Sequence, residues 1–324
     1  MKSFPTVTIV GLGLMGGSLA LALKKSGYEG TILGVDTAGG NLAEALAAKA
    51  IDSAAASLEE AIVEEGLIVV AAPLRAYPAI FRELARAAGG RRVVVTDVGS
   101  VKTCVHQLAE TVLPDGAVFI GGHPMAGSER GGFAAARAEL FQEACYFLTP
   151  AACHEQESLR TLQALVRRLG ASPVLITPEE HDRVAARVSH VPHLLAALLA
   201  SSLSAAEVPF TGSGFRDTTR IAAGEPQLWQ DILLHNREEI LSGLAGLESA
   251  LHQVKAALRS GDQPGLAVFL QQAKLVRDGL SPGDKQPLAT ASPPGADRLA
   301  DFSRSPGNAA KRGVVSTTPP GYSL

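Results

Sequence analysis

Cysteine is scarce in this 324-residue chain: Cys104, Cys145 and Cys153 are the only three, and no two form a C-x-x-C pair. That spacing excludes a disulfide scaffold and a thiolate zinc site, so the expectation is a reduced, cytoplasmic protein with no metal. Clustered basic charge is missing as well. The 29 Lys and Arg are scattered among 32 Asp and Glu, for a net charge of −3, which leaves no electrostatic footprint for nucleic acid. Long apolar runs are absent too. The most apolar helical stretch, HLLAALLASSLSAAEV, is interrupted by serines and a glutamate and falls short of the roughly 20 residues that span a bilayer. The opening MKSFPTVTIVG runs straight into a strand and a glycine turn, without the separate apolar segment of a secretion signal. Neither a membrane nor a nucleic acid is an expected partner.

What is present is the composition of an ordinary globular protein, 46% hydrophobic and 19% charged, long enough for two domains. From residue 6, short β-branched runs alternate with alanine- and leucine-rich helical stretches. TVTIVG, TILGVD, GLIVVAAP, RVVVTDVGS and AVFIGGHP read as strands, and CYFLTP and SPVLIT extend the same sheet. Continuous apolar strands separated by helices imply a doubly wound parallel sheet of the α/β Rossmann type over residues 1–176. After about residue 177 the strand signal ends and helical apolar spacing takes over, which predicts an all-helical domain over residues 177–280. From Ser281 onward Pro, Gly, Ser and Ala dominate. Such a segment cannot bury enough apolar surface to offset its ordering entropy, so residues 281–324 read as a disordered tail.

GLGLMGG sets Gly11, Gly13 and Gly16 in G-x-G-x-x-G spacing, with Leu14 and Met15 between the last two. The motif follows a strand, opens a helix, and precedes Asp36 at the end of the next strand. In that context Gly11 permits a tight turn, Gly13 admits a pyrophosphate close to the backbone, and Gly16 lets helix and strand pack. The helix start offers free N–H groups to the anion. Asp36 suits a ribose 2′-hydroxyl and would repel a 2′-phosphate, and no arginine follows it. The cofactor expected is therefore NAD; a helix cap or turn role is the alternative for Asp36.

Ligands of an open parallel sheet bind beyond the carboxyl ends of its strands. Ser100 follows RVVVTDVG there, and in GGHPMAGSE the glycines and Pro124 read as a rigid turn presenting His123. An imidazole with an ordinary pKa of about 6.5 can take the hydroxyl proton released when hydride leaves an alcohol carbon.

At this point the chain resembles the prephenate dehydrogenases of the TyrA type. GLGLMGGSLA, DVGSVK, GGHPMAGSE, HDRVAARVSHVPH and GFRDTTRIAAGEPQLW occur in the family's order and cover residues 6 to about 280. The resemblance implies NAD-dependent oxidative decarboxylation of prephenate to 4-hydroxyphenylpyruvate in tyrosine biosynthesis, by a homodimer. It also implies roles: His123 as base with Ser100 orienting it, Ser189 and His193 on the substrate face, Arg220 holding a carboxylate, and Trp229 reaching the neighbouring subunit's site. Ser189 and His193, four apart, share a helix face. His181 and His190 read as structural or supporting, Arg216 and Asp217 as an ion pair, and Lys102 as either a neighbour of the nicotinamide or a surface charge.

Three alternatives stand beside this reading. Arogenate could replace prephenate. A β-hydroxyacid dehydrogenase would share the glycine motif, but that family relies on a lysine in its helical domain and residues 154–254 contain none. A non-catalytic NAD-sensing regulator would not need Ser100, His123 and Arg220 together.

Overall fold

The computed structural model describes residues 3–150 and 156–280. The expected tail at 281–324 and Cys153 lie outside the described residues. Two compact units are distinguished, one ending at Glu248 and the other starting at Ser249.

The first unit holds an eight-stranded sheet: β1 (Thr6–Val10), β2 (Thr31–Val35), β3 (Ser53–Ala54), β4 (Leu67–Val70), β5 (Val93–Asp97), β6 (Ala117–Pro124), β7 (Cys145–Pro150) and β8 (Ser172–Leu175). Its order is β3-β2-β1-β4-β5-β6-β7-β8, and the reversal of direction between β1 and β4 is the switch point at which Rossmann sheets bind dinucleotides. Helices α1 (Leu14–Lys25), α2 (Gly39–Ala47), α3 (Leu58–Ala61), α4 (Tyr77–Ala88), α5 (Thr103–Val112) and α6 (Gln156–Arg168) connect the strands. Alternation along each strand divides the core into two layers. Leu67 and Val69 pack into one layer with Leu19 and Leu23 of α1, and Ile68 and Val70 into the other with Phe81 and Leu84 of α4. Burial on both faces is why these strands read as unbroken apolar runs.

Two features depart from the expected parallel sheet. The two-residue β3 is too short to leave a periodic signal, and β7 runs antiparallel to β6. The second corrects the reading of GGHPMAGSE. Parallel pairing with β5 stops at Ile120, but pairing with β7 carries β6 on to Pro124, with His123 opposite Phe147. His123 therefore projects from a strand rather than from a tight turn. The adjoining glycine serves close packing, since a Cβ on Gly122 would lie 2.5 Å from the Asp97 carbonyl oxygen.

Beyond β8 the chain is helical: α7 (Pro178–Ala185), α8 (Val191–Ser201), α9 (Ser213–Thr219), α10 (Pro226–His235), α11 (Arg237–Ser260) and α12 (Gln263–Asp278). By length and composition the run Pro178–Ser201 could cross a membrane, yet its Asp182, His181 and His190 are buried within the protein. Between α7 and α8, Ala186–His190 forms a π turn. At about 100° per residue a regular α-helix would set His193 roughly 120° around from His181 and His190 on the opposite side. The residue absorbed by the π turn brings those angles to about 20° and 80°. One helical face thus carries all three imidazoles. In the second unit Asp262 caps α12 by accepting from the Gly265 N–H at 3.0 Å, and Val268, Leu270, Leu275 and Val276 are exposed.

Candidate active site

The glycine turn lies at the switch point. Gly11 has φ +98°, and a Cβ there would sit 2.6 Å from the Ala71 carbonyl oxygen, at the end of β4. A Cβ on Gly16 would lie 1.9 Å from the Gly11 carbonyl oxygen, so helix and turn touch. Around Gly13 the space is open, with nothing within 4 Å of such a Cβ. Gly13 stands at the N-cap of α1, whose first turn, including Leu14 and Met15, carries no acid. Open space before an uncompensated helix N-terminus fits a pyrophosphate.

Asp36, just past β2, accepts hydrogen bonds from the backbone N–H of Leu12 and of Ala38, each at 2.7 Å, and from Asn41 Nδ2 at 3.1 Å. It therefore does turn-building work, and these bonds fix the carboxylate beside the glycine turn. Asn41 also accepts from the Phe133 N–H at 3.3 Å, which ties the segment after β6 to the cofactor edge. Nothing in the local sequence pattern announces that link.

At the carboxyl end of β6, His123 is 7% exposed. Its Nδ1 lies 2.8 Å from His181 Nε2, and His181 Nδ1 lies 2.8 Å from Asp182 Oδ1. The Asp182 carboxylate also accepts from the Lys102 N–H at 2.7 Å and the Thr103 N–H at 2.9 Å, so it caps the N-terminus of α5. Burial pushes the His123 pKa well below 6.5, and the rings of His181 and His190 and the Lys102 ammonium act the same way. Burial also lowers His181, against the opposing bond to Asp182. For Asp182, burial raises the pKa, but hydrogen bonds from His181 and Thr103 outweigh it and hold the group below its usual range. At neutral pH, His123 is thus an uncharged ring.

Lys102 is fully buried and ion-paired with Asp97 at the end of β5, so a surface role is excluded. Asp97 also accepts from the Tyr77 hydroxyl at 3.2 Å, the Gly99 N–H at 3.0 Å and the Gly122 N–H at 2.9 Å. This cluster fixes the ends of β5 and β6, and with them Ser100 and His123. Ser100 is half-buried, and its backbone contacts the His190 ring. Asn236, between α10 and α11, donates from Nδ2 to the Asp182 carbonyl oxygen at 2.8 Å and to His190 Nδ1 at 3.0 Å.

Ser189 lies in the π turn and His193 in the first turn of α8. His193 is stacked on Trp229 of its own chain, with ring centroids 3.4 Å apart. Arg220 follows α9, is largely exposed, and reaches Glu129 at 3.5 Å. Arg216 and Asp217 are both exposed, and no salt bridge joins them among the described residues. His181, Asp182, Lys102, Asp97 and Asn236 complete the histidine cluster. Of these, His181 and Asp182 lie in HDRVAARVSHVPH and Asp97 and Lys102 in DVGSVK, whereas Asn236 carried no sequence signal.

Fold and cluster together define a class, the NAD-dependent oxidoreductases, here with a neutral imidazole at the sheet edge that faces the cofactor. Within that class the match is specific. Residues 19–176 match the prephenate dehydrogenase nucleotide-binding domain and residues 177–272 the prephenate dehydrogenase dimerization domain. The chain belongs to the prephenate dehydrogenase family. It is 37% identical over 281 residues to prephenate dehydrogenase of Bacillus subtilis, covering 85% of this chain and 76% of that one. It is 31% identical to cyclohexadienyl dehydrogenase of Zymomonas mobilis, covering 86% and 96%. The crystal structure of A. aeolicus prephenate dehydrogenase in complex with hydroxyphenyl propionate and NAD+ superposes with a TM-score of 0.78 at 30% identity, covering 86% of this chain and 99% of that one.

Proposed function

We propose that this protein oxidatively decarboxylates prephenate to 4-hydroxyphenylpyruvate, acting in the cytoplasm as a homodimer. The observation that carries the reading is the buried, neutral His123 at the cofactor edge of the sheet. Bound NAD supplies the hydride acceptor, and Gly11, Gly13, Gly16 and Asp36 would hold it. His123 takes the proton of the ring C4 hydroxyl as that carbon gives up hydride and becomes a carbonyl. The bond to the ring carboxyl then breaks, its electron pair enters the ring, carbon dioxide leaves, and His123 returns the proton to the phenolate oxygen. No net proton is consumed. Ser100 orients the hydroxyl, Arg220 binds a carboxylate through its planar guanidinium, and Ser189, His193 and Trp229 line the ring.

Arogenate has an amino group in place of the keto group and would follow the same chemistry, so the test offers both. NADH absorbance is followed with each substrate, with His123→Asn alongside. The expected result is reduction with prephenate that falls by about 10²–10⁴ in the variant while NAD still binds. Unchanged turnover in the variant removes His123 as the base, and turnover of arogenate alone changes the substrate. Silence with both substrates would leave an NAD-binding regulator.

A further inference from the structure

We infer that His181 and Asp182 are positioning residues that fix which nitrogen of His123 accepts the substrate proton, namely Nε2. The inference rests on the reading of His123 as the base and extends it to how that base is prepared. It follows from donor and acceptor bookkeeping along one buried chain. An ionised carboxylate only accepts hydrogen bonds, and Asp182 is kept in that form by the Lys102 and Thr103 N–H groups. The His181 nitrogen facing it, Nδ1 at 2.8 Å, must therefore carry the hydrogen. A neutral imidazole has one N–H, so His181 Nε2 presents a lone pair. Opposite that lone pair, 2.8 Å away, is His123 Nδ1, which must then be the N–H donor. The only lone pair left on His123 is on Nε2.

The neighbouring contacts hold this arrangement in place. Asn236 Nδ2 donates to the Asp182 carbonyl oxygen and to His190 Nδ1, so His190 is an acceptor at Nδ1 and does not compete for the Asp182 carboxylate. Phe147 packs edge-on against His181 with centroids 5.4 Å apart, and His181 has no exposed surface. When His123 takes a proton at Nε2, its Nδ1–H stays bonded to His181, and the positive charge is met through His181 by the Asp182 carboxylate.

The test reads the tautomer directly. In protein carrying 15N-labelled histidine, two-bond proton–nitrogen correlation distinguishes a protonated from an unprotonated ring nitrogen. The expected result is Nδ1–H with bare Nε2 for both His123 and His181. Finding His123 protonated at Nε2 in the resting protein would overturn the inference. Asp182→Ala removes the acceptor facing His181 Nδ1 and should release both rings from the tautomers it fixes. Turnover should then fall about 10³-fold while the NAD dissociation constant stays within about twofold, as expected when a base is no longer held in the right tautomer. Because Asp182 also caps α5, this variant can fail to fold. His181→Phe, which keeps ring packing, is the second variant: turnover should drop about 10²-fold with NAD binding and melting temperature retained. Wild-type turnover in a folded His181→Phe protein would count against the inference. The nuclear magnetic resonance readout needs no substrate, so it stays decisive if the assigned reaction proves wrong.

Discussion

His193 and Trp229 lie face to face, with ring centroids 3.4 Å apart and planes within 11° of parallel. Trp229 is the only tryptophan in the chain, so its emission reports on this stack and on the His190 ring that meets it edge-on at 6.2 Å. Burial lowers the His193 pKa, opposed by a hydrogen bond to the Ile221 backbone, and a protonated ring over an indole face is a cation–π pair. Trp229 emission should therefore change with acid, with a midpoint below 6.5. The transition should vanish in His193→Phe. Emission that does not change with pH across this range would contradict the stack.

The two inner glycines of the cofactor turn separate folding from binding. A methyl on Gly16 meets a backbone oxygen at 1.9 Å, whereas a methyl on Gly13 meets nothing within 4 Å. Gly16→Ala should lower the melting temperature and impair NAD binding together. Gly13→Ala should leave melting unchanged and weaken NAD at least about tenfold, because only the incoming pyrophosphate needs that space. Calorimetry of both variants checks this, and equal thermal losses would refute the distinction.

The same contrast shows how far the sequence could be read. Gly11, Gly13, Gly16 and Asp36 were legible because a turn, a close approach and a strand end are local properties of a short segment. His123 was legible by motif, but its setting was not: whether GGHP is a turn or a strand depends on β7 pairing with it, some 25 residues away. The HDRVAARVSHVPH segment reads as one helix, and only the π turn explains how His181, His190 and His193 come to share a face. The bonds of Asn236 to Asp182 and His190 span 54 and 46 residues. The local pattern around an asparagine between two helices carries no trace of such partners.

Lys102 is the clearest case of a group that the sequence left open between site and surface. It and Asp97 are fully buried, and removing one partner strands the other as an unpaired buried charge, at a cost of about 3–5 kcal/mol. Lys102→Met should lose roughly that much stability in urea titrations. The remaining hydrogen bonds from Tyr77, Gly99 and Gly122 would not restore it. A loss below about 1 kcal/mol would show that the buried pair contributes little to stability.

Arg220 behaves differently, since its contact with Glu129 is largely solvent-exposed and such pairs contribute at most about 1 kcal/mol. Arg220→Ala should leave the melting temperature alone. Loss of a charged hydrogen bond to a substrate carboxylate, about 1.5–3 kcal/mol, should raise KM between about 10- and 100-fold with kcat little changed. A fall confined to kcat would remove Arg220 as the carboxylate anchor.

Acid should destabilise the folded protein before most carboxylates titrate. Burial is the largest cause of the lowered pKa at His106, His123, His181 and His190, and for His190 it brings the value to about 4, against opposing effects of Asp182 and the Ser100 backbone. The unfolded chain takes up protons at these rings near pH 6.5 while the folded chain does not. Stability is therefore complete above pH 6.5 and falls as the pH drops toward 4. The linkage for His190 alone amounts to about 3 kcal/mol at the low end of that window. Urea unfolding across the window should show this slope, and His190→Gln should flatten it, because a glutamine can still bond Asn236 but takes up no proton. A slope of the same size in the variant would mean that the acid sensitivity arises at the other three rings.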